Sequence, residues 1–166
     1  TANATSGSIL GAELDGHLAL GQSFQLTGSL GLLVTKVDPF TFQSNAREST
    51  TLGGREAAHA PGYSFNVTAN YNQPSGLFVR MELIAKDEFY YSDSHDQMSG
   101  AYQLLNTHVG YQRGPWAVKL WSRNILDERY ATRGFYFGLE PPDYEDRLYV
   151  SWGDPRHFGV TLAFNL

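Results

Sequence analysis

The residues of this chain that could do chemistry are five histidines, scattered carboxylates and a few basic side chains. No two histidines stand two or four residues apart, the spacings that place a pair of imidazoles on one ligand face of a strand or helix. Asp93, His95 and Asp96 gather possible cation ligands in one loop, although a solvated polar loop is the favoured interpretation. The chain has no cysteine, which excludes disulfides, thiolate metal sites and cysteine nucleophiles. We therefore predict no metal site and no cofactor.

Acid–base catalysis would need paired carboxylates, and several lie on alternating segments. These are Glu13, Asp15, Glu82, Asp87 and Glu88. Carboxylates on such segments more simply line a wet surface. The sequence contains no Gly-x-Ser-x-Gly elbow, no phosphate-binding glycine loop and no dinucleotide fingerprint. We therefore assign no catalytic residue and do not expect an enzyme.

Four basic side chains are candidates for binding an anionic ligand: Arg80, Lys119, Arg123 and Arg133. Cations turned toward a wet interior or its outer mouth would attract an anion such as a metal chelate. The alternative is that they form ion pairs with neighbouring carboxylates. The choice depends on the elements that carry them and on the faces of those elements.

Composition limits the class of protein. Hydrophobic residues make up 42% of the 166 residues and charged residues only 17%, against roughly 25% in an average soluble domain. The net charge is −5 and basic residues do not cluster, which excludes a nucleic-acid-binding protein. No apolar run reaches the roughly 18 to 20 residues of a membrane helix, but a membrane-spanning β-barrel remains compatible with the composition.

Period-two alternation is the strongest pattern in the chain. Between Tyr63 and Asn72 every odd position is apolar and every even position is polar, as on a strand with one apolar and one wet face. The same pattern predicts an all-β, antiparallel fold with almost no helix. The predicted strands are 8–20, 24–37, 62–72, 77–90, 101–112, 116–130 and 157–166.

Short and long connections alternate along the chain. Turn residues at 21–23, 73–76 and 113–115 give tight turns, whereas three other connections are long and polar. The long ones cover 38–61, 91–100 and 131–157. Short turns at one end and long loops at the other are typical of outer-membrane barrels. The segment 147–152 is shorter than the roughly 9 to 11 residues of a spanning strand, so we place it in the last loop as a hairpin arm.

About seven spanning strands do not make a complete bacterial single-chain barrel, which has an even number, and lipid does not tolerate an open sheet edge. The chain also starts at Thr1 without a methionine or a signal segment. We therefore expect residues 1–166 to be a C-terminal piece of a larger barrel. Two alternatives stay open: a complete eight-stranded outer-membrane barrel with a structural or adhesive role, and a soluble all-β binding module or enzyme.

Aromatic residues lie near both ends of the predicted strands. Tyr71, Tyr111, Trp116 and Phe164 lie near the short turns. Those near the long loops are Tyr63, Phe89, Tyr90, Tyr91, Tyr130 and Phe158. Two belts of rings at the membrane surfaces are the membrane interpretation, and rings in the core of a β-sandwich are the alternative.

Two segments resemble a known family. Residues 124–130, with Asn124, Leu126, Asp127 and Tyr130, resemble the Asn-Leu-Phe-Asp-Lys-x-Tyr signature that closes the penultimate strand of TonB-dependent outer-membrane receptors. Residues 153–166 are similar to the last strand of that family, with a Pro-Arg start and an alternating finish. Its apolar positions are Phe158, Val160, Leu162, Phe164 and Leu166. The side chains of Asn124 and Asp127 are expected to bond backbone groups where the strand ends.

The resemblance implies a barrel of about 22 strands that surrounds an N-terminal plug, with the plug outside this chain. It implies active import of a scarce ligand, most often a ferric siderophore or similar metal chelate, across the bacterial outer membrane. The partners it implies are outer-membrane lipid, the upstream strands and plug of the same receptor, the TonB energy-coupling protein through the missing N-terminal part, and the barrel-assembly machinery. No nucleic acid is implied.

Overall fold

The computed structural model describes residues 6–43 and 49–165. Within these residues the chain forms 13 strands, numbered here in chain order. Seven long strands build the main sheet: β1 (Gly7–Leu20), β2 (Phe24–Val37), β5 (Tyr63–Asn72), β6 (Leu77–Lys86), β9 (Tyr102–Arg113), β10 (Trp116–Arg123) and β13 (His157–Phe164). Six short strands form three hairpins: β3 (Phe40–Gln43) with β4 (Ser49–Leu52), β7 (Phe89–Tyr90) with β8 (Met98–Ser99), and β11 (Ala131–Phe137) with β12 (Arg147–Trp152).

The main sheet is an antiparallel meander in the order β1-β2-β5-β6-β9-β10-β13. Within the described part of the chain β1 and β13 are its two edges and do not pair with each other, so the sheet stays open. Seven long strands and a hairpin arm at 147–152 confirm the predicted architecture. Each short hairpin lies inside one of the three long connections: β3–β4 between β2 and β5, β7–β8 between β6 and β9, and β11–β12 between β10 and β13.

Two predicted strands are too long. The strand predicted at 116–130 ends at Arg123, because Asn124 has φ of 48° and Asp127 has φ of 58°, left-handed values that an extended ladder cannot contain. The strand predicted at 77–90 ends at Lys86, and Phe89 begins a separate hairpin. Leu166, the last predicted member of the C-terminal strand, lies outside the described residues.

The register gives the sheet one continuous apolar face. Leu14 lies opposite Leu30, which lies opposite Phe65, and Leu120 lies opposite Val160. Because side chains alternate with a period of two, a slip of one residue in any pairing would turn that strand's apolar set to the other face. Leu162 is 76% exposed on this face, so its apolar side chains do not pack against a second layer within the described residues.

The described residues form no helix that is long and apolar enough to cross a membrane.

Candidate functional site

The face of the sheet opposite the apolar face carries most of the polar side chains, together with a few apolar ones such as Ile84, Leu104 and Trp121. Its members alternate with the apolar set and include Glu13, Asp15, Ser29, Asn66, Thr68, Arg80, Glu82, Asn106, His108, Lys119 and Arg123. A groove of about 580 Å³ runs over this face between β1 and β9, with Glu13, Lys86 and Tyr102 along it. The face therefore offers water and polar solutes a broad wall of hydrogen-bonding groups.

Glu82 is the centre of a hydrogen-bond network on the polar face. Its carboxylate accepts a bond from the amide of Asn106 at 3.0 Å and one from the amide of Asn66 at 3.4 Å. Arg80 lies 3.5 Å from the same carboxylate, and Thr68 donates to Asn66 at 3.3 Å. These bonds join three neighbouring strands, so the carboxylate is held in place on β6.

Three of the four basic candidates share the polar face. Arg80 is on β6, and Lys119 and Arg123 are on β10. Arg133 is separate, because it lies on β11 of the outer hairpin, opposite Ser151. Arg80 makes the one ion pair found for these four among residues 6–43 and 49–165.

Asn124 closes the end of β10 with its side chain. Only 3% of it is exposed, and its amide group donates to the carbonyls of Glu128 at 2.8 Å and Asp154 at 3.1 Å. Its side-chain oxygen accepts the backbone N–H of Glu128 at 2.9 Å. Its own N–H donates to the side-chain oxygen of Asn106 at 3.0 Å, which connects the turn to the Glu82 network.

The rest of the segment 124–130 joins the start of β13. Asp127 forms an ion pair with Arg156 at 3.3 Å and accepts the backbone N–H of the same residue at 3.3 Å. The ring of Tyr130 packs on Tyr102 with centroids 4.6 Å apart. Leu126 is 57% exposed. The segment is thus a compact turn that holds the loop ends of β9, β10 and β13 together.

The three long connections pack on one another at the opposite end from the short turns. Arg55 donates to the carbonyls of Ser92 at 3.1 Å and His95 at 2.7 Å, and pairs with the carboxylate of Asp96. Its guanidinium also lies 4.2 Å from the centre of the Tyr90 ring. One side chain from the first loop therefore fixes the conformation of the second.

The second and third loops share a small hydrophobic core. Phe89, Tyr91 and Ala131 are buried, Val150 packs against them, and the buried hydroxyl of Ser99 donates to the carbonyl of Ala131 at 2.8 Å. Burial raises the pKa of the Tyr91 hydroxyl above its usual value. Phe89 and Tyr91 are therefore not available to a lipid-facing aromatic belt, and the predicted outer belt is wrong for these two rings.

The loop at 93–96 uses its polar side chains for internal contacts. Asp96 pairs with Arg55, and Asp93 accepts the backbone N–H of Ala58 at 3.0 Å. The ring of His95 meets that of Tyr136 edge to face at 4.9 Å. No group of three possible metal ligands occurs among the described residues.

In the outer hairpin, the Tyr149 hydroxyl donates to Glu140, and this bond raises the pKa of Tyr149.

Alternation could not reveal these loop contacts, because they join residues in segments without regular periodicity. Arg55 and Asp96 are 41 residues apart in the chain, and Ser99 and Ala131 are 32 apart. The run of rings at 89–91 is the one signal in the sequence, and its interpretation as part of a membrane-surface belt is wrong for Phe89 and Tyr91.

Three solved structures resemble this chain over 95% of its length. The siderophore receptor PiuA from Acinetobacter baumannii matches with a TM-score of 0.77 at 14% identity, and the ferric yersiniabactin uptake receptor FyuA from Yersinia pestis with 0.74 at 15%. The ferric-catecholate import receptor Fiu from E. coli K12 matches with 0.51 at 13% identity. This is the barrel fold of the TonB-dependent receptors.

The chain corresponds to part of such a barrel. It covers 22% of PiuA, 23% of FyuA and 27% of Fiu, so it spans about a quarter of the length of the receptors it matches. No protein-family model matches the chain. At the level of fold, the resemblance of residues 124–130 and 153–166 to TonB-dependent receptors is confirmed.

Within a receptor barrel, the two faces of the sheet and its two ends differ in chemistry. In outer-membrane barrels, the apolar face of the wall is the outer surface and the polar face lines the interior. The packed loops, which Arg55 and the Phe89 core hold together, stand at one rim.

Proposed function

We propose that this chain is the C-terminal part of the wall of an outer-membrane transport receptor that imports a scarce ligand, a ferric siderophore or similar metal chelate, and is not an enzyme. One observation carries the proposal. The register gathers most of the apolar side chains of the seven long strands on one face and most of the polar side chains on the other. A wall between lipid and a wet lumen needs that division.

The open sheet supports a role as one part of a larger barrel. Both β1 and β13 present unpaired backbone groups at the edges of the described sheet, and lipid does not tolerate such edges. The partners of this wall are therefore upstream strands of the same receptor at both edges, outer-membrane lipid on the apolar face, and a plug on the polar face. Transport also requires the TonB energy-coupling protein, which acts through the plug-bearing N-terminal part, and the barrel-assembly machinery, which inserts the barrel.

The ligand class comes from the similar structures. All three are receptors for siderophores or ferric compounds, and the packed loop layer at one end is suited to line the outer entrance of such a receptor.

The alternative of an eight-stranded barrel requires residues 147–152 as an eighth wall strand. Instead, β12 pairs with β11 in a separate two-stranded sheet. The alternative of a soluble module requires a cover for the apolar face, where Leu14 is 68% and Val160 is 62% exposed.

Neighbouring positions of β13 can test the two faces. The chain has no cysteine, so single cysteines at Leu162 and Thr161 can be spin-labelled in the full-length receptor in bilayers. We expect the Leu162→Cys label to collide with dissolved oxygen and the Thr161→Cys label with a water-soluble nickel chelate. Equal access of nickel to both labels would contradict the membrane wall.

Iron uptake tests the cargo. Deletion of the gene that encodes this chain is expected to abolish uptake of radioactive iron from one class of ferric chelate, and expression of the intact gene to restore it. Uptake of free amino acids serves as the control for general permeability. If uptake from every ferric chelate supplied stays at the wild-type rate after deletion, the proposed ligand class is wrong.

A further inference from the structure

Three basic side chains, Arg80, Lys119 and Arg123, lie on the polar face around His108. The register places Arg80 of β6 directly opposite His108 of β9, which in turn lies opposite Trp121 of β10. Lys119 and Arg123 flank Trp121 two residues away on either side, so they share its face and lie within diagonal reach of His108.

The carboxylates of this face do not balance the cluster. Glu82 is the acidic neighbour, and it already accepts bonds from Asn66 and Asn106 in addition to the contact with Arg80. Lys119 and Arg123 have no ion pair within residues 6–43 and 49–165. Arg80 on β6 is separated from Lys119 and Arg123 on β10 by one strand, β9. An anion bound between them would offset the mutual repulsion of their positive charges.

The rings of Trp121 and Phe78 lie beside the cluster on the polar face. A Cβ atom on Gly159 would lie 2.4 Å from the Trp121 indole, and one on Gly110 would lie 2.2 Å from the Phe78 ring. The two rings therefore pack closely against the glycines of the neighbouring strands.

Arg80, His108 and Lys119 lie away from the loop layer, whereas Arg123 is the last residue of β10, beside the Asn124 turn. Arg80 is the fourth residue of β6 and Lys119 the fourth residue of β10, and both strands begin at short turns. Arg55 and the Phe89 core lie at the other end of the sheet. An anion held at His108 would therefore be inside the wall and away from the outer rim.

We propose that Arg80, Lys119 and Arg123 around His108 form a binding site for a small anion that carries carboxylate or phosphate oxygens. The inference rests on the proposed function, since the anion must reach the polar face from the wet side of the wall. In that setting, the site is a station for an anionic solute deep in the lumen. Guanidinium and ammonium groups provide charge-assisted hydrogen bonds to such oxygens.

Calorimetric titration of the full-length receptor in detergent tests the site, with malonate and inorganic phosphate as probes at constant ionic strength. We expect Lys119→Gln and Arg123→Gln each to raise the dissociation constant about tenfold, the loss expected for one charge-assisted bond. The matched control is Arg113→Gln. Arg113 is exposed at the short-turn end of β9 with the opposite parity to His108, so this variant should change the dissociation constant less than about twofold.

Thermal unfolding of the same variants without added anion gives the second readout. Removal of a repelling charge should leave the midpoint unchanged or raise it in Lys119→Gln and Arg123→Gln. The proposal is overturned if both probes bind all variants equally. It is also overturned if the substitutions lower the unfolding midpoints and leave probe binding unchanged. That result would mean that Lys119 and Arg123 already pair with a carboxylate elsewhere in the polypeptide. The spin-label experiment at Leu162 and Thr161 tests the wall independently, so a failure of this site can be separated from a failure of the proposed function.

Discussion

Asn124 shows how much one side chain decides in this protein. It is nearly fully buried, it adopts a left-handed backbone conformation, and three of its side-chain hydrogen bonds satisfy backbone groups of Glu128 and Asp154. Asparagine tolerates positive φ better than most residues, and its amide can donate and accept at once. Few other residue types could end β10 and hold the start of β13 in the same place.

Replacement of Asn124 by alanine is expected to lower the free energy of unfolding by about 2 to 4 kcal/mol, because buried backbone groups lose their partners and alanine is strained at positive φ. Chemical denaturation of the refolded receptor in detergent measures the change. Asn124→Gly removes the strain but not the lost bonds, so it should fall between alanine and wild type. Asn72→Ala, at an exposed end of β5, is the control. A cost at Asn124 no larger than at Asn72 would contradict this role.

The long strands depend on glycines that make room for rings. Gly110 on β9 is buried, and a Cβ atom there would meet both the Phe78 ring and, at 2.6 Å, the carbonyl oxygen of Val118. A ring can move, but a backbone carbonyl within a paired ladder cannot move without breaking the register. Gly16 on β1 has nothing within 4 Å of the corresponding position. A side chain can therefore be added at Gly16 without a clash but not at Gly110.

Gly110→Ala is expected to destabilise the receptor by about 1 to 3 kcal/mol through overpacking, whereas Gly16→Ala should be neutral or stabilise it slightly, by less than about 1 kcal/mol. Denaturant midpoints of the two variants, measured side by side in detergent, provide the comparison. Equal effects of the two substitutions would show that the close approach of β9 and β10 at Gly110 is not important.

At the scale of the whole molecule, the sheet of residues 7–164 has two free edges and one uncovered apolar face. Within the described residues, β1 and β13 do not pair with each other, and no second layer covers the apolar face. Stability of this wall should therefore depend on strands that supply hydrogen bonds to β1 and β13.

We expect residues 1–166 expressed alone to give no folded monomer in detergent, whereas the full-length receptor should run as a heat-modifiable band on a gel. Addition of upstream barrel strands in pairs should restore the folded band only when the barrel can close. A monomeric, heat-modifiable band from residues 1–166 alone would contradict the dependence on further strands. The complete receptor with the Gly16→Ala substitution serves as a folding control.

Much of this architecture follows from the sequence by itself. The period-two pattern places each long strand and its two faces, because alternation is a local property of a pleated chain. Turn residues place the short connections, since glycine at positions such as Gly21 and Gly114 adopts the positive φ of a tight turn. The short segment at 147–152 also predicts the outer hairpin from length alone.

Only the tertiary structure decided the rest. The register between strands brings Arg80, Lys119 and Arg123 together around His108, although they lie up to 43 residues apart in sequence (123 minus 80). The loops pack through contacts between segments that carry no periodic signal. Arg55 of the first loop bonds to the second loop, and the rings of Phe89 and Tyr91 are buried against Ala131 of the third. The physical reason is that local pattern fixes the direction of a side chain within its own strand or loop, whereas its neighbours are chosen by which segments the folded sheet brings side by side.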